Sequence, residues 1–393
     1  MNTLLSTILV AASVLLAMPV AVLTVETCLA LTYRRKNIVT GPRPALAVLV
    51  PAHDEAAGIG RTLASLAPQL VSGDRLVVIA DNCSDDTAPV AEAAGATVIQ
   101  RRDPSRRGKG FALDFGVRHL SAAAPEVVII VDADCEVAAG TIDNIARLCG
   151  AIGRPVQGLY LMRSPSDATL STRIAEFAWT VKNQVRPTGL RQLGLPCQLM
   201  GTGMAFPWPT LRDAHLASDN IVEDLKLGLD LACTGQAPVF SPDALVSSMF
   251  PASVAGLQTQ RTRWEHGHLG LILSSALPIL LLSLRRRDAG LVALGLDLMV
   301  PPLALLLLLC TSCFAADAIF ALLTGRLAPL CISTTSGLLL GCAVFLSWFR
   351  WGREIVSAGQ LARAPLYALR KVPLYLGFMR KRQTDWVRSQ RDR

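Results

Sequence analysis

Charge is scarce in this chain of 393 residues: Asp, Glu, Lys and Arg make up 17%, against roughly 25% in ordinary soluble domains. Hydrophobic residues make up 51%, and mean hydropathy is +0.42. A disordered chain needs the reverse composition, and a purely soluble one would carry more charge. The length allows about two folding units. A disulfide framework is also missing. Of the ten cysteines, Cys83, Cys135, Cys149, Cys197 and Cys233 are scattered through a polar middle with no zinc-like spacing. Cys310 and Cys313 form CxxC inside a leucine run, where packing suits them better than metal or redox chemistry. A reducing compartment fits this usage. Positive charge is lacking where a nucleic-acid binder needs it, on the folded domain. The formal net charge is +8, and the stretch from Arg350 to Arg393, with eleven basic and three acidic residues, accounts for it. No nucleic-acid partner is expected, whereas a basic tail after the last apolar run suits a membrane surface.

A positive n-region is absent as well, so residues 4–32 read as a membrane anchor and not as a signal peptide. A span needs about 20 apolar residues. This one ends in Tyr33-Arg34-Arg35-Lys36, which by the positive-inside rule makes the following chain cytoplasmic. The expected layout is a transmembrane anchor (1–36), a cytoplasmic domain (41–268), an interfacial helix (269–288), two transmembrane helices (289–350) and a basic amphipathic cytoplasmic tail (351–393). Leu269 to Leu284 is only 16 residues long, hence the interfacial reading. Residues 290–323 read as one span bent at Pro301 and Pro302. In the tail, Tyr367, Tyr375 and Phe378 mix with Arg370, Lys371 and Arg380-Lys381-Arg382. Asp297 and Asp317 lie in apolar surroundings, which makes them functional suspects unless they sit in the headgroup layer.

The polar middle alternates short apolar runs with helical patterns. Ala45–Val50, Arg75–Ala80, Ala96–Ile99 and Glu126–Val131 read as strands. A helical period follows through Ile59, Leu63, Leu66 and Leu70, and again over Lys109–Leu120. The fold class is α/β, with a parallel sheet and helices on both faces. Ligands of such sheets bind at the carboxyl ends of the strands. Pro51-Ala-His-Asp-Glu55, Asp81-Asn-Cys-Ser-Asp85 and Asp132-Ala-Asp134 all fall there.

Several groups there have chemistry to offer. Asp132 and Asp134 form a DxD that can share a hard cation such as Mg²⁺ or Mn²⁺ with a substrate diphosphate, although solvated loop acids would look the same. Asp54, Glu55 and Asp81 could accept from a nucleoside, or Asp54 and Asp81 could be helix N-caps. Arg101-Arg102 and Arg106-Arg107-Gly108-Lys109-Gly110 precede a helix, so Lys109 and backbone N–H groups would suit a diphosphate; a solvated basic loop is the alternative. Glu223 and Asp224 open an amphipathic helix, either as dipole partners or with one of them as a general base. Gln260, Arg263 and Trp264 stand just before the next apolar run, as interfacial residues or as a platform for sugar and phosphate.

The motifs VPAHDE, ADNCSDDT, GKG, DAD, VED and QRTRW occur in that order, and most of residues 43–268 resembles the membrane-bound family 2 glycosyltransferases with a GT-A fold. The resemblance implies an inverting transferase using a nucleotide-diphosphate sugar, most often a UDP-sugar. It implies that Asp81 binds the base, Asp134 the metal, and that Asp224 is the catalytic base. It further implies that Gln260, Arg263 and Trp264 hold the diphosphate and the acceptor end. Leu199–Met204, with Gly201 and Thr202, looks like the acceptor-side loop. His53-Asp54 stands where many relatives have Asn before Glu, which favours Glu55 over Asp54 as a functional acid. The one-plus-two span layout looks like the ceramide glucosyltransferase type, with a lipid or lipid-linked saccharide as acceptor. A bacterial inner membrane and exopolysaccharide or cell-envelope assembly follow from the resemblance alone. A processive polysaccharide synthase is the rival within the class, and a catalytically silent nucleotide-binding subunit the rival outside it.

Overall fold

The computed structural model describes residues 2–34, 41–218, 220–251 and 254–380. Arg35 and Lys36 of the basic cluster and the tail from Lys381 onward lie outside the described residues. The chain divides into two compact units. One holds the described parts of 41–166 and 194–267, the other those of 2–33, 167–193 and 268–380.

In the first unit, eight strands share one sheet: β1 (Leu46–Ala52), β2 (Arg75–Asp81), β3 (Thr97–Arg101), β4 (Val127–Ile130), β5 (Glu136–Val137), β6 (Val156–Arg163), β7 (Met204–Pro207) and β8 (Val239–Met249). Their order is β3-β2-β1-β4-β7-β6-β8-β5. The continuous apolar runs pair as parallel strands, β1 with β2 and β4, and β2 with β3. β1 and β4 are buried on both faces, which such runs suit, whereas β3 at the sheet edge is partly exposed. The rest of the sheet departs from the parallel expectation. β7 is antiparallel to both β4 and β6, β6 and β8 are parallel, and β5 is antiparallel to β8. The reason lies in one contact between distant residues. Thr202 meets the backbone just beyond β4, so the chain enters β7 at the carboxyl end of β4 and must run back along it.

The core of this unit joins Leu49, Ile79, Val128 and Ile130 of the strands to Leu113 and Leu120 of helix Lys109–Leu120. Each such burial contributes roughly 1.5–3 kcal/mol. That helix lies close on the sheet because residue 116 is glycine: a Cβ there would come within 2.6 Å of Ile79 Cδ1.

Among the described residues, four helices are long and apolar enough to cross a membrane: Thr3–Leu31, Gly256–Arg286, Leu303–Thr324 and Ala328–Gly352. Two of them differ from the sequence expectation. The expected interfacial helix 269–288 is the second half of a helix that begins before Gln260. No proline interrupts it before Pro278, whose ring follows a wide turn at Ile272–Ala276 that relieves the usual clash. The expected single bent span 290–323 is two helices, Ala289–Leu298 and Leu303–Thr324. Pro301 and Pro302 separate them because a residue before proline avoids helical geometry.

Residues 167–193, expected inside the cytoplasmic domain, belong to the unit of apolar helices. There Arg186 lies between two acids. Its Nε donates to Glu26 Oε2 at 3.1 Å, and its Nη2 pairs with the Asp297 carboxylate and donates to the Asp297 carbonyl. All three side chains are buried. Asp297 is therefore the partner of a buried guanidinium and is not exposed in a headgroup layer. Asp317 is likewise enclosed, accepting from Ser13 Oγ at 2.8 Å and from Cys313 Sγ at 3.6 Å. Cys310 packs in the core, as a CxxC in a leucine run should.

Candidate active site

The carboxyl ends of β1, β2 and β4 carry the acidic loops, and each loop is held by backbone and side-chain hydrogen bonds. After β1, Asp54 adopts φ +53°, and its Oδ1 accepts from Ser84 N at 2.6 Å and Ser84 Oγ at 3.1 Å. Asp54 thus ties the first loop to the second and caps no helix; the following helix, Ile59–Leu66, has Gly58 at its N-cap. Glu55 N donates to Thr87 Oγ1 at 2.7 Å, and a Cβ on Gly58 would lie 3.9 Å from Glu55 Oε2. The Glu55 carboxylate is therefore beside a helix N-terminus, where an acid is stabilised.

Asp81 ends β2 and is buried. Its Oδ1 accepts from Arg101 Nη1 at 2.6 Å and from Asn82 Nδ2 at 3.0 Å, and its carbonyl meets His53 Nδ1 at 2.7 Å. Asp81 caps no helix either. Arg101, from the basic run before helix Lys109–Leu120, is the counter-ion of Asp81 and also pairs with Asp103. Asp85 feels burial, which would raise its pKa, but donors on Thr87 and Ala56 hold it below the usual carboxylate value.

Past β4 lies the DxD. Ligand atoms of Asp132, Asp134 and Cys135 lie within 4.8 Å of one another. Two hard carboxylates at that spacing fit a small divalent cation. Asp132 N donates to Thr202 Oγ1 at 3.0 Å. Lys109, first residue of its helix, forms an ion pair with Asp132 and donates from Nζ to Gly201 O at 2.6 Å.

The loop between residues 193 and 204 brings the remaining groups together. Gly201 has φ +95°, and a Cβ there would lie 3.2 Å from Asp224 Oδ2 and 3.8 Å from Lys109 Nζ. Side chains avoid that backbone region and glycine does not. Glu223 and Asp224 begin helix Glu223–Cys233. Burial and the adjacent Asp224 push Glu223 up to about 7, against the pull of Lys109 and Arg263. Burial disfavours the Lys109 ammonium, but Asp132, Glu223 and Asp224 outweigh it and raise the pKa above the ordinary lysine value. Gln260, Arg263 and Trp264 lie on helix Val254–Leu271. Gln260 Oε1 is buried without a hydrogen-bond partner. Gly267 of the same helix abuts Val222, the residue before Glu223. Asp132, Lys109, Gly201, Thr202, Glu223, Asp224 and Arg263 thus form one cluster, with Asp134 beside Asp132, while Asp81 and Glu55 belong to the neighbouring rim.

One residue of this site carries no motif. Gln157 of β6 is fully buried; its Nε2 donates to Thr202 O at 2.9 Å and its Oε1 accepts from Met200 N at 2.7 Å. Gln157 therefore clamps both sides of Gly201. A single amide in the otherwise apolar run Val156–Met162 was the available signal.

Known proteins share the family and the fold of this chain. The profile of the family described as glycosyltransferase like family 2 matches residues 42–267. Glucosyl-3-phosphoglycerate synthase of Mycolicibacterium paratuberculosis is 41% identical over 96 residues, 23% of this chain and 28% of that protein. The 4,4'-diaponeurosporenoate glycosyltransferase of Staphylococcus aureus is 38% identical over 93 residues, 23% of this chain and 24% of that protein. The chain thus spans about a quarter of the length of these two relatives. A mannosyltransferase of Pyrobaculum calidifontis, solved with GDP-mannose and Mn²⁺, superposes with a TM-score of 0.56 at 17% identity, covering 95% of this chain and 100% of that one. That likeness shows a GT-A fold.

Proposed function

The chain belongs to the glycosyltransferase-like family 2, and from that premise we propose that it is an inverting transferase moving a sugar from a nucleotide-diphosphate sugar to a membrane lipid or lipid-linked saccharide. The observation that carries the reading is the gathering of Asp224, Glu223, Lys109 and Asp132 around Gly201. The donor side is the rim of Asp132, Asp134, Lys109, Asp81 and Glu55, with a UDP-sugar as the expected donor. Asp134 and Asp132 would hold Mg²⁺ or Mn²⁺, which when bound neutralises charge developing on the diphosphate leaving group.

The chain's own groups do the rest. The Asp224 carboxylate takes the proton of the acceptor hydroxyl as that oxygen attacks the anomeric carbon opposite the diphosphate. Positive charge builds on the ring as in glycoside cleavage. Burial and the neighbouring Asp224 raise Glu223 to about 7, so Glu223 keeps its proton below that pH. Gly201 and Thr202 shape the acceptor side, and Gln260, Arg263 and Trp264 close it. The four apolar helices favour a lipid acceptor and a multi-pass place in a bacterial inner membrane, with the sheet-bearing unit cytoplasmic. Cell-envelope or exopolysaccharide assembly is the corresponding setting.

Membranes carrying the protein, incubated with labelled nucleotide sugars and Mn²⁺ or Mg²⁺ and extracted with organic solvent, test this. Label in the organic phase as one added sugar is expected, together with its loss in Asp224→Asn and retained nucleotide binding by that variant. Label in a large polymer overturns the single-transfer reading, and full turnover by Asp224→Asn overturns the base.

A further inference from the structure

The position of Lys109 in a site meant for a dication is unusual. Its ammonium sits on Asp132, one of the two DxD carboxylates, and on the carbonyl of Gly201, with Glu223 and Asp224 close enough to act on its charge. Its side chain is only 18% exposed. Carboxylates gathered as closely as Asp132 and Asp134 repel one another unless a cation stands among them.

We propose that Lys109 is a displaceable counter-cation of the metal site. In the metal-free protein its ammonium neutralises Asp132, and it leaves that carboxylate when a divalent ion is held there, becoming free for the donor's diphosphate. This rests on the metal-dependent donor site proposed above. Three features support the exchange. The ammonium and the ion need the same Asp132 carboxylate. The flexible four-carbon stem lets the ammonium swing while the helix stays in place. Lys109 also opens its helix, where backbone N–H groups already favour an anion such as a diphosphate. The lysine then has two successive partners of the same sign, and the site never holds its acids without a cation. Metal and donor would bind cooperatively, because the ion releases the ammonium that the diphosphate uses.

The test is Mn²⁺ binding to the purified full chain in detergent, read from the electron paramagnetic resonance of free Mn²⁺ without nucleotide. Lys109→Met should bind Mn²⁺ about ten-fold more tightly than the unaltered protein, and should bind a nucleoside diphosphate more weakly in the presence of the ion. Lys109→Gln, which keeps a donor for Gly201 O, should behave alike and serves where the methionine variant does not fold. Equal or weaker Mn²⁺ binding in these variants overturns the exchange while leaving the metal-dependent reading in place. If the unaltered protein itself binds no Mn²⁺, with or without nucleoside diphosphate, the reading and the inference built on it both fall.

Discussion

Glu223 opens its helix beside Asp224, in surroundings that favour its protonated form. Glu223 has a folded-state pKa of about 7, pushed up by burial and by Asp224. In an unfolded chain a glutamate titrates near 4.3. Below that pH both states carry the proton and the group contributes nothing to pH dependence. Between the two values only the folded state keeps it, so stability falls as pH rises, and above about 7 the whole loss remains. Glu223→Gln in metal-free protein should therefore flatten the decline between pH 5 and 7, by an amount on the order of 1–3 kcal/mol. Melting temperature against pH for the two proteins checks this; an unchanged slope contradicts the assignment. The surroundings of Glu223 were not legible in the sequence, where both acids could equally have been partners of a helix dipole. Burial is set by neighbours in space, and a sequence shows only positions along a chain.

At the scale of an element, strand β6 acts through one side chain. Gln157 holds Met200 N and Thr202 O, and with them the loop that presents Gly201 to Asp224. Gln157→Leu leaves those buried groups unpaired, at about 1–3 kcal/mol each. The variant should lose stability by a few kcal/mol and lose transfer activity by more than ten-fold, with nucleoside diphosphate binding nearly unchanged. Stability from thermal melting, together with separate turnover and binding measurements, distinguishes loop displacement from general unfolding. The first four strands were legible because each is a continuous apolar run. The short strands β5 and β7 were not, since two- and four-residue pairings are chosen by what lies alongside them. The antiparallel return of β7 follows from where Thr202 meets Asp132, a contact between residues 70 apart.

Within the unit of apolar helices, three distant parts of the chain meet at Glu26, Arg186 and Asp297. The middle one comes from residues 167–193, which interrupt the polar region in sequence and join the apolar helices in space. Removing one member of a buried ionic set costs about 3–5 kcal/mol, because a charge is left without its partner. Arg186→Met should lower thermal stability in detergent by that order. Adding Glu26→Gln and Asp297→Asn to it should restore much of the loss, since no buried charge then remains. A triple variant as unstable as the single one would show that packing and not charge governs the site. Gly189 adds a steric condition: any side chain there would overlap the backbone of Glu26.

Composition and the continuous apolar runs were enough to indicate membrane association and an α/β domain, because burial needs apolar residues and strand ends need polar ones. The glycosyltransferase reading came from the resemblance of the ordered motifs to a known family. Only the tertiary structure decided that Arg101 serves Asp81, that Lys109 stands on Asp132, that Gln157 secures the loop carrying Gly201, and that Asp297 answers Arg186. Each of these is a pairing between segments far apart in the chain. A charge or an amide in a sequence states what it can bond to, and the fold alone brings one partner within reach.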